Sequence, residues 1–202
     1  MREFLINLSK MKTIPRSGWL SHNLSLPDIE SVADHSFTMS VLSILIADLE
    51  VERGVKLNME RVLRMALLHD LAESLTFDIS RAYLGYMGSR GKEMKREIER
   101  TAWEYMVKGI DDRKLAQMYG NAQREYVENK TREAKILHAA DSIDILLQIV
   151  RYRRQGYPER LTSDLWEERI KLARKSNTPS LKPILKQIVN ESRKLEGIRR
   201  VK

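Results

Sequence analysis

The 202-residue chain contains no cysteine. Disulfides, a thiolate zinc site and a cysteine nucleophile are therefore excluded, and any metal must be held by nitrogen and oxygen donors. Cysteine-free composition also fits a reducing compartment. Proline is scarce, with five in all, and the prolines fall at segment edges rather than inside the periodic runs. Runs that alternate apolar and polar residues in the strand manner are few. No stretch approaches the roughly 18 uninterrupted apolar residues of a membrane-spanning helix. Met1-Arg2-Glu3-Phe4-Leu5 carries an early acid with no long apolar core behind it, so the expectation is a soluble cytoplasmic protein with no membrane partner. Neither an internal repeat nor a low-complexity segment is present.

What the chain does have is apolar residues at helical spacing almost throughout. Phe37, Val41, Leu42, Leu45, Ile46 and Leu49 form one series; Val62, Met65, Ala66 and Leu68 a second; Ile136, Ala140, Ile143, Leu147 and Val150 a third. This pattern predicts an all-α protein, with helices near residues 2–11, 35–53, 59–75, 91–109, 111–129, 131–155, 158–176 and 179–195. At this length one domain, residues 1–202, is the expectation. Pro15 to Pro27 reads as an irregular stretch, and Gly85 to Gly91 as a mobile glycine-rich loop. The basic end Arg199-Arg200-Val201-Lys202 reads as a frayed terminus.

The net charge of +8 is placed unevenly. Residues 1–100 balance 14 Lys and Arg against 14 Asp and Glu, whereas residues 101–202 hold 22 against 14. A basic half can recruit phosphorylated substrates or nucleic acid. These cations are spread along helical segments and mixed with acids, the pattern of a solvated surface, so nucleic acid is not expected as a partner.

Four donors stand out. His69-Asp70 closes an apolar helical segment, His35 opens the run from Phe37 to Leu49, and Asp141 follows Ile136-Leu137-His138-Ala139-Ala140. Taken singly, each reads equally well as a satisfied buried polar group or a helix cap. Together, on three helices whose apolar faces must pack, they read as a metal site. Mixed imidazole and carboxylate ligation suits manganese, iron, cobalt, nickel or zinc and leaves positions for water and substrate. Glu73, three residues after Asp70 and four after His69, shares their face if the helix continues, where it could handle a proton. Asp78 follows one turn later and could lean back over the site.

The order His, His-Asp, Asp resembles that of the HD-domain metal-dependent phosphohydrolases. Pro15-Arg16-Ser17-Gly18-Trp19, Asp34-His35-Ser36 and the run Leu68-His69-Asp70-Leu71-Ala72-Glu73-Ser74-Leu75-Thr76-Phe77-Asp78-Ile79 are similar to the 5′-deoxynucleotidase branch, over roughly residues 2–155. The resemblance implies an HD-domain helical bundle that hydrolyses deoxyribonucleoside 5′-monophosphates to deoxynucleoside and phosphate with a divalent metal ion. It implies His35, His69, Asp70 and Asp141 as metal ligands, Glu73 and Asp78 as catalytic acids, Arg16 as the phosphate clamp and Trp19 against the nucleotide. The family has a further acid before the last metal aspartate; Tyr119 to Asn129 offers Glu125 or Glu128, and Glu125 is preferred as a substrate contact. His22 and His138 match no family role. Two alternatives stay open: another HD chemistry, on deoxynucleoside triphosphates, cyclic dinucleotides or guanosine polyphosphates, and a catalytically silent HD module that binds nucleotide or nucleic acid. A homodimer is expected from the likeness and from Tyr152, Leu165 and Trp166 in the C-terminal helices.

Overall fold

The computed structural model describes residues 1–80 and 84–200, with side chains as far as residue 195. Among the described residues the helices are α1 Arg2–Lys10, α2 Ser17–Leu20, α3 Val32–Val51, α4 Met59–Leu68, α5 Glu73–Thr76, α6 Ser89–Lys108, α7 Arg113–Glu128, α8 Arg132–Gln155, α9 Ser163–Lys175 and α10 Leu181–Arg200. Short 3₁₀ turns occupy Leu26–Asp28 and Glu159–Leu161. The all-α expectation holds. Among the described residues the one strand-like pairing is an isolated bridge between Pro15 and Ser31. Arg199 and Arg200 belong to α10, while Val201 and Lys202 lie outside the described residues.

The chain forms two compact units, Met1–Phe37 with Arg64–Glu128, and Thr38–Leu63 with the segment from Asn129 onward. In the first, Met11, Ile14, Val32, Leu71, Ala72, Ala102, Trp103 and Met106 make a buried cluster. In the second, α9 and α10 pack along α8, whose Leu137, Ile143, Leu146, Ile149 and Tyr152 are fully buried. Thr131 caps α8 by accepting the amide of Ala134 at 3.2 Å, and Gly156 ends it at φ 109, a conformation glycine adopts without penalty. Arg153 stacks over the Trp166 ring at 4.7 Å and donates to the Ser192 hydroxyl at 2.5 Å. Tyr152 is buried within this unit, and Trp166 is half-buried beneath Arg153.

Three sequence expectations change. α3 begins at Val32 rather than near residue 35, because Ser31 and Asp34 form a reciprocal cap. The Asp34 carboxylate accepts the Ser31 amide at 2.9 Å, and the Ser31 hydroxyl accepts the Asp34 amide at 3.1 Å. The helix expected over 59–75 stops at Leu68 and resumes for one turn at Glu73. The intervening amides of Leu71, Glu73, Ser74 and Leu75 bond to carbonyls three residues back, so the chain tightens to a 3₁₀ course. The stretch from Pro15 to Pro27, expected to be irregular, contains the α2 turn.

Not every periodic apolar position is core. On α3, Phe37, Val41 and Leu45 are exposed, Phe37 by 70%, while Met39, Leu42 and Ile46 are buried. By length and composition alone α3 could cross a membrane. It nevertheless carries buried His35, Ser43 and Glu50, and Glu50 accepts the Ser180 amide at 2.9 Å within the second unit.

Candidate functional site

All of the candidate site residues named above except His138 and Asp141 fall in the first unit. The segment that carries Arg16 is pinned to the start of α3: the Arg16 amide donates to the Glu30 carbonyl at 3.0 Å, and the Val32 amide to that of Ile14 at 2.9 Å. This places Arg16 one short span from His35. His69 and Asp70 occupy the turn that ends α4, and Glu73 opens α5.

His35 and His69 are buried, and their Nε2 atoms lie 3.4 Å apart. Asp70 Oδ2 is 3.5 Å from His35 Nε2 and 3.2 Å from His69 Nε2. The point equidistant from these three atoms is about 1.9 Å from each, so a cation displaced slightly from their plane meets the roughly 2.0–2.2 Å that imidazole and carboxylate ligands require. The three form a group able to hold a metal ion. His69 Nδ1 is 2.8 Å from the Ala66 carbonyl oxygen. Only an N–H can serve that acceptor, so a neutral ring keeps the Nε2 lone pair for a cation.

Arg16 sits among three acids. Its Nη1 is 3.1 Å from Asp70 Oδ2 and 3.6 Å from Glu73 Oε2, and its Nε is 3.9 Å from Asp78 Oδ2. The sequence argument put Asp70 and Glu73 on one face of a continuing α-helix. They share a face for a different reason, since residues three apart eclipse one another on a 3₁₀ course. Burial alone raises the proton affinity of Asp70, but His69, Arg16 and His35 outweigh it and hold the carboxyl well below the usual range. Glu73 goes the other way: burial first, then the charges of Asp70 and Asp78, raise it well above the ordinary value, against the pull of Arg16 and Lys95. Its Oε2 is buried without a hydrogen-bond partner. A buried acid of high proton affinity beside a cation site is equipped to take and return a proton.

Trp19 is buried, 3% exposed, and its indole N–H donates to Glu30 at 2.9 Å. Glu125 is half-buried on α7. Its neighbour Tyr126 is the residue seen against the site, with its ring centroid 5.3 Å from that of His69. Gln123, from the same helix, donates to the His69 carbonyl at 3.3 Å. Asp141 belongs to the second unit, where its Oδ2 lies 3.0 Å from Arg169 Nη1. His22 Nδ1 is 2.8 Å from the Gly18 carbonyl oxygen, in its own turn.

Sequence reasoning missed Glu30, Tyr126, Gln123, Arg169 and Lys95. The Lys95 ammonium, from α6, donates to the Ile79 carbonyl at 2.8 Å. A search for acids between Tyr119 and Asn129 could not have preferred Tyr126, and nothing local marks Lys95 among the many cations of α6.

Known proteins give the same picture. The HD domain family matches residues 8–179. The 5′-deoxynucleotidase HDDC2 of Danio rerio is 32% identical over 162 residues, covering 80% of this chain and 74% of its own. The human 5′-deoxynucleotidase HDDC2 is 28% identical over 189 residues, covering 94% and 84%. Among solved structures, the PH0347 protein from Pyrococcus horikoshii OT3 superposes with a TM-score of 0.74 at 29% identity, covering 96% of this chain and 99% of that one. An HD-domain phosphohydrolase from Listeria innocua, at 22% identity, shares the fold with a TM-score of 0.81 over 98% and 92% of the two chains. The match runs over most of the sequence, and the chain belongs to the HD-domain family.

Proposed function

We propose that this protein is a divalent-metal-dependent 5′-deoxynucleotidase, hydrolysing deoxyribonucleoside 5′-monophosphates to deoxynucleoside and phosphate. The observation that carries the reading is the triangle of His35 Nε2, His69 Nε2 and Asp70 Oδ2 with sides of 3.2–3.5 Å, flanked by the buried, unbonded Glu73 Oε2. Relatives named as 5′-deoxynucleotidases support the substrate class.

In this reading His35, His69 and Asp70 hold the ion. A divalent cation held there would supply a water acidified toward neutral pH, able to attack phosphorus. Glu73 accepts the proton that this water gives up. Arg16 grips the phosphate, its planar fork matching two phosphate oxygens and neutralising charge that would otherwise repel Asp70, Glu73 and Asp78. Asp78 contacts the reacting end of the substrate. Trp19, held rigid by Glu30, forms a wall against which the sugar lies, and Glu125 is a further substrate contact. A 2′-hydroxyl buried there without a partner costs about 1–3 kcal/mol, or roughly 5- to 150-fold in selectivity.

The deciding experiment measures phosphate release from matched ribo- and deoxynucleoside mono-, di- and triphosphates, after chelator treatment and reloading with each of several metals. Deoxymonophosphates should be preferred. Equal kcat/KM for matched ribo- and deoxymonophosphates would sink the deoxynucleotidase reading, and preferential attack on triphosphates would replace it with another HD chemistry.

A further inference from the structure

Phe77 stands at φ 58 and ψ 169, a region of backbone space almost confined to glycine. It is not an ordinary helix end, for which ψ would lie near about 45° in the left-handed basin. Side chains from three elements hold the chain in this conformation. The Thr76 hydroxyl donates to the Phe77 carbonyl at 3.0 Å. The Ser17 hydroxyl, from α2, donates to the Asp78 carbonyl. The Lys95 ammonium, from α6, donates to the Ile79 carbonyl at 2.8 Å and pairs with Glu99 at 3.3 Å. Three successive carbonyls are thus gripped by donors from outside their own backbone ladder. Between them the Asp78 carboxylate faces Arg16 at 3.9 Å.

A lone strained residue relaxes unless its surroundings over-determine it. Here relaxation of Phe77 to negative φ would redirect the chain that follows and carry Asp78 away from Arg16. We propose that Lys95 and Ser17 are positioning residues for the reaction: by holding the Ile79 and Asp78 carbonyls they keep the Phe77 turn strained and so aim the Asp78 carboxylate at the reacting end of the substrate beside Arg16. This rests on the reading of Asp78 as a substrate contact. Lys95 touches no reacting atom in this scheme. Its donor geometry does the work, which sets it apart from a cation that merely adds to the local field.

The test uses the manganese-loaded full chain and 2′-deoxyadenosine 5′-monophosphate. Lys95→Met and Ser17→Ala should each lower kcat by about 10- to 100-fold, the order of loss that a misplacement near 1 Å causes, with KM changed by less than about threefold. Lys95→Arg, which keeps a donor, should restore most of the rate. The decisive comparison is a double-mutant cycle. In an Asp78→Asn background, adding Lys95→Met should cost less than about twofold, because the group it positions is already disabled. An equal loss in both backgrounds would overturn the proposal and make Lys95 a general electrostatic or structural residue. Hydrogen exchange supplies a readout independent of turnover. Peptides covering residues 74–80 should exchange faster in Lys95→Met while the unfolding midpoint barely moves, and unchanged exchange there would refute the clamp. If the native protein releases no phosphate from any deoxynucleotide, the nucleotidase reading fails instead, and exchange alone decides the clamp.

Discussion

Glu73 carries an opposing pair of demands, since its neighbours favour its proton while its task in the proposed reaction is to accept one. The folded carboxyl binds its proton more tightly than an unfolded glutamate, whose pKa is near 4.5. Its contribution to stability is therefore complete below about pH 4.5 and is lost as pH rises through the raised folded value. Asp70 has the opposite sign, stabilising above its unfolded value of 3.8 and losing that contribution only in strong acid. For chelator-treated protein, Glu73→Gln should flatten the decline in stability above pH 4.5, read from urea midpoints across a pH series; an unchanged slope would mean the charge at Glu73 is not its source. With metal restored, the same variant should lose turnover on the order of 10² to 10⁴-fold. Arg16→Ala should separate substrate from metal. It removes a charge-assisted phosphate contact worth roughly 1.5–3 kcal/mol, yet it frees Asp70 Oδ2 from a competing cation 3.1 Å away. Calorimetry should show manganese binding as tight as before or tighter, with monophosphate binding weakened; weaker metal binding would contradict this arrangement. His35, His69, Asp70 and Glu73 were legible in the sequence because residue type and order nominate them, and Arg16 because of the family resemblance. Lys95, Tyr126 and Arg169 were not, because each acquires its role only from a neighbour distant in the chain.

At the scale of elements, apolar periodicity located the helices but not their ends. It could not register the Ser31–Asp34 cap that starts α3 early, nor the run of three-residue hydrogen bonds that interrupts the segment after Leu68. Both lie in polar or backbone interactions that an apolar count ignores. The exposed stripe Phe37, Val41 and Leu45 shows the converse: period alone does not say which of two apolar faces is covered. The glycine-rich loop was expected to be mobile, yet it contains a close contact. A Cβ on Gly91 would lie 2.2 Å from the Leu84 carbonyl oxygen, a backbone atom. Gly91→Ala should destabilise the protein by about 1–3 kcal/mol, as overpacking does, measurable as a lower urea midpoint. Because Lys95 sits one turn further along α6, the same substitution should also reduce turnover. Wild-type stability and rate in this variant would show that the loop yields freely.

At the scale of the whole molecule, a cation bound by the native state and not by the unfolded chain adds stability by mass action. Chelation should lower the melting temperature, and returning manganese at about 100 times its Kd should restore about 2.7 kcal/mol. His69→Ala should abolish that metal-dependent shift; a shift of full size would place the ion elsewhere. The chain forms two units interleaved in sequence, each assembled from two separate segments. Apolar content does not distinguish them, although the net charge of +8 lies wholly in the second. Their interleaving bears on how the protein is born. The first unit has all its residues once Glu128 is made, so it can close while the rest of the chain is still in the ribosome. The second cannot. Its early segment carries Glu50, whose carboxylate takes the amide of Ser180, 130 residues later. Until that residue emerges, the apolar half of α3 and the segment to Leu63 wait without their partners, and a pause in translation anywhere between them prolongs an aggregation-prone interval that the finished fold never displays.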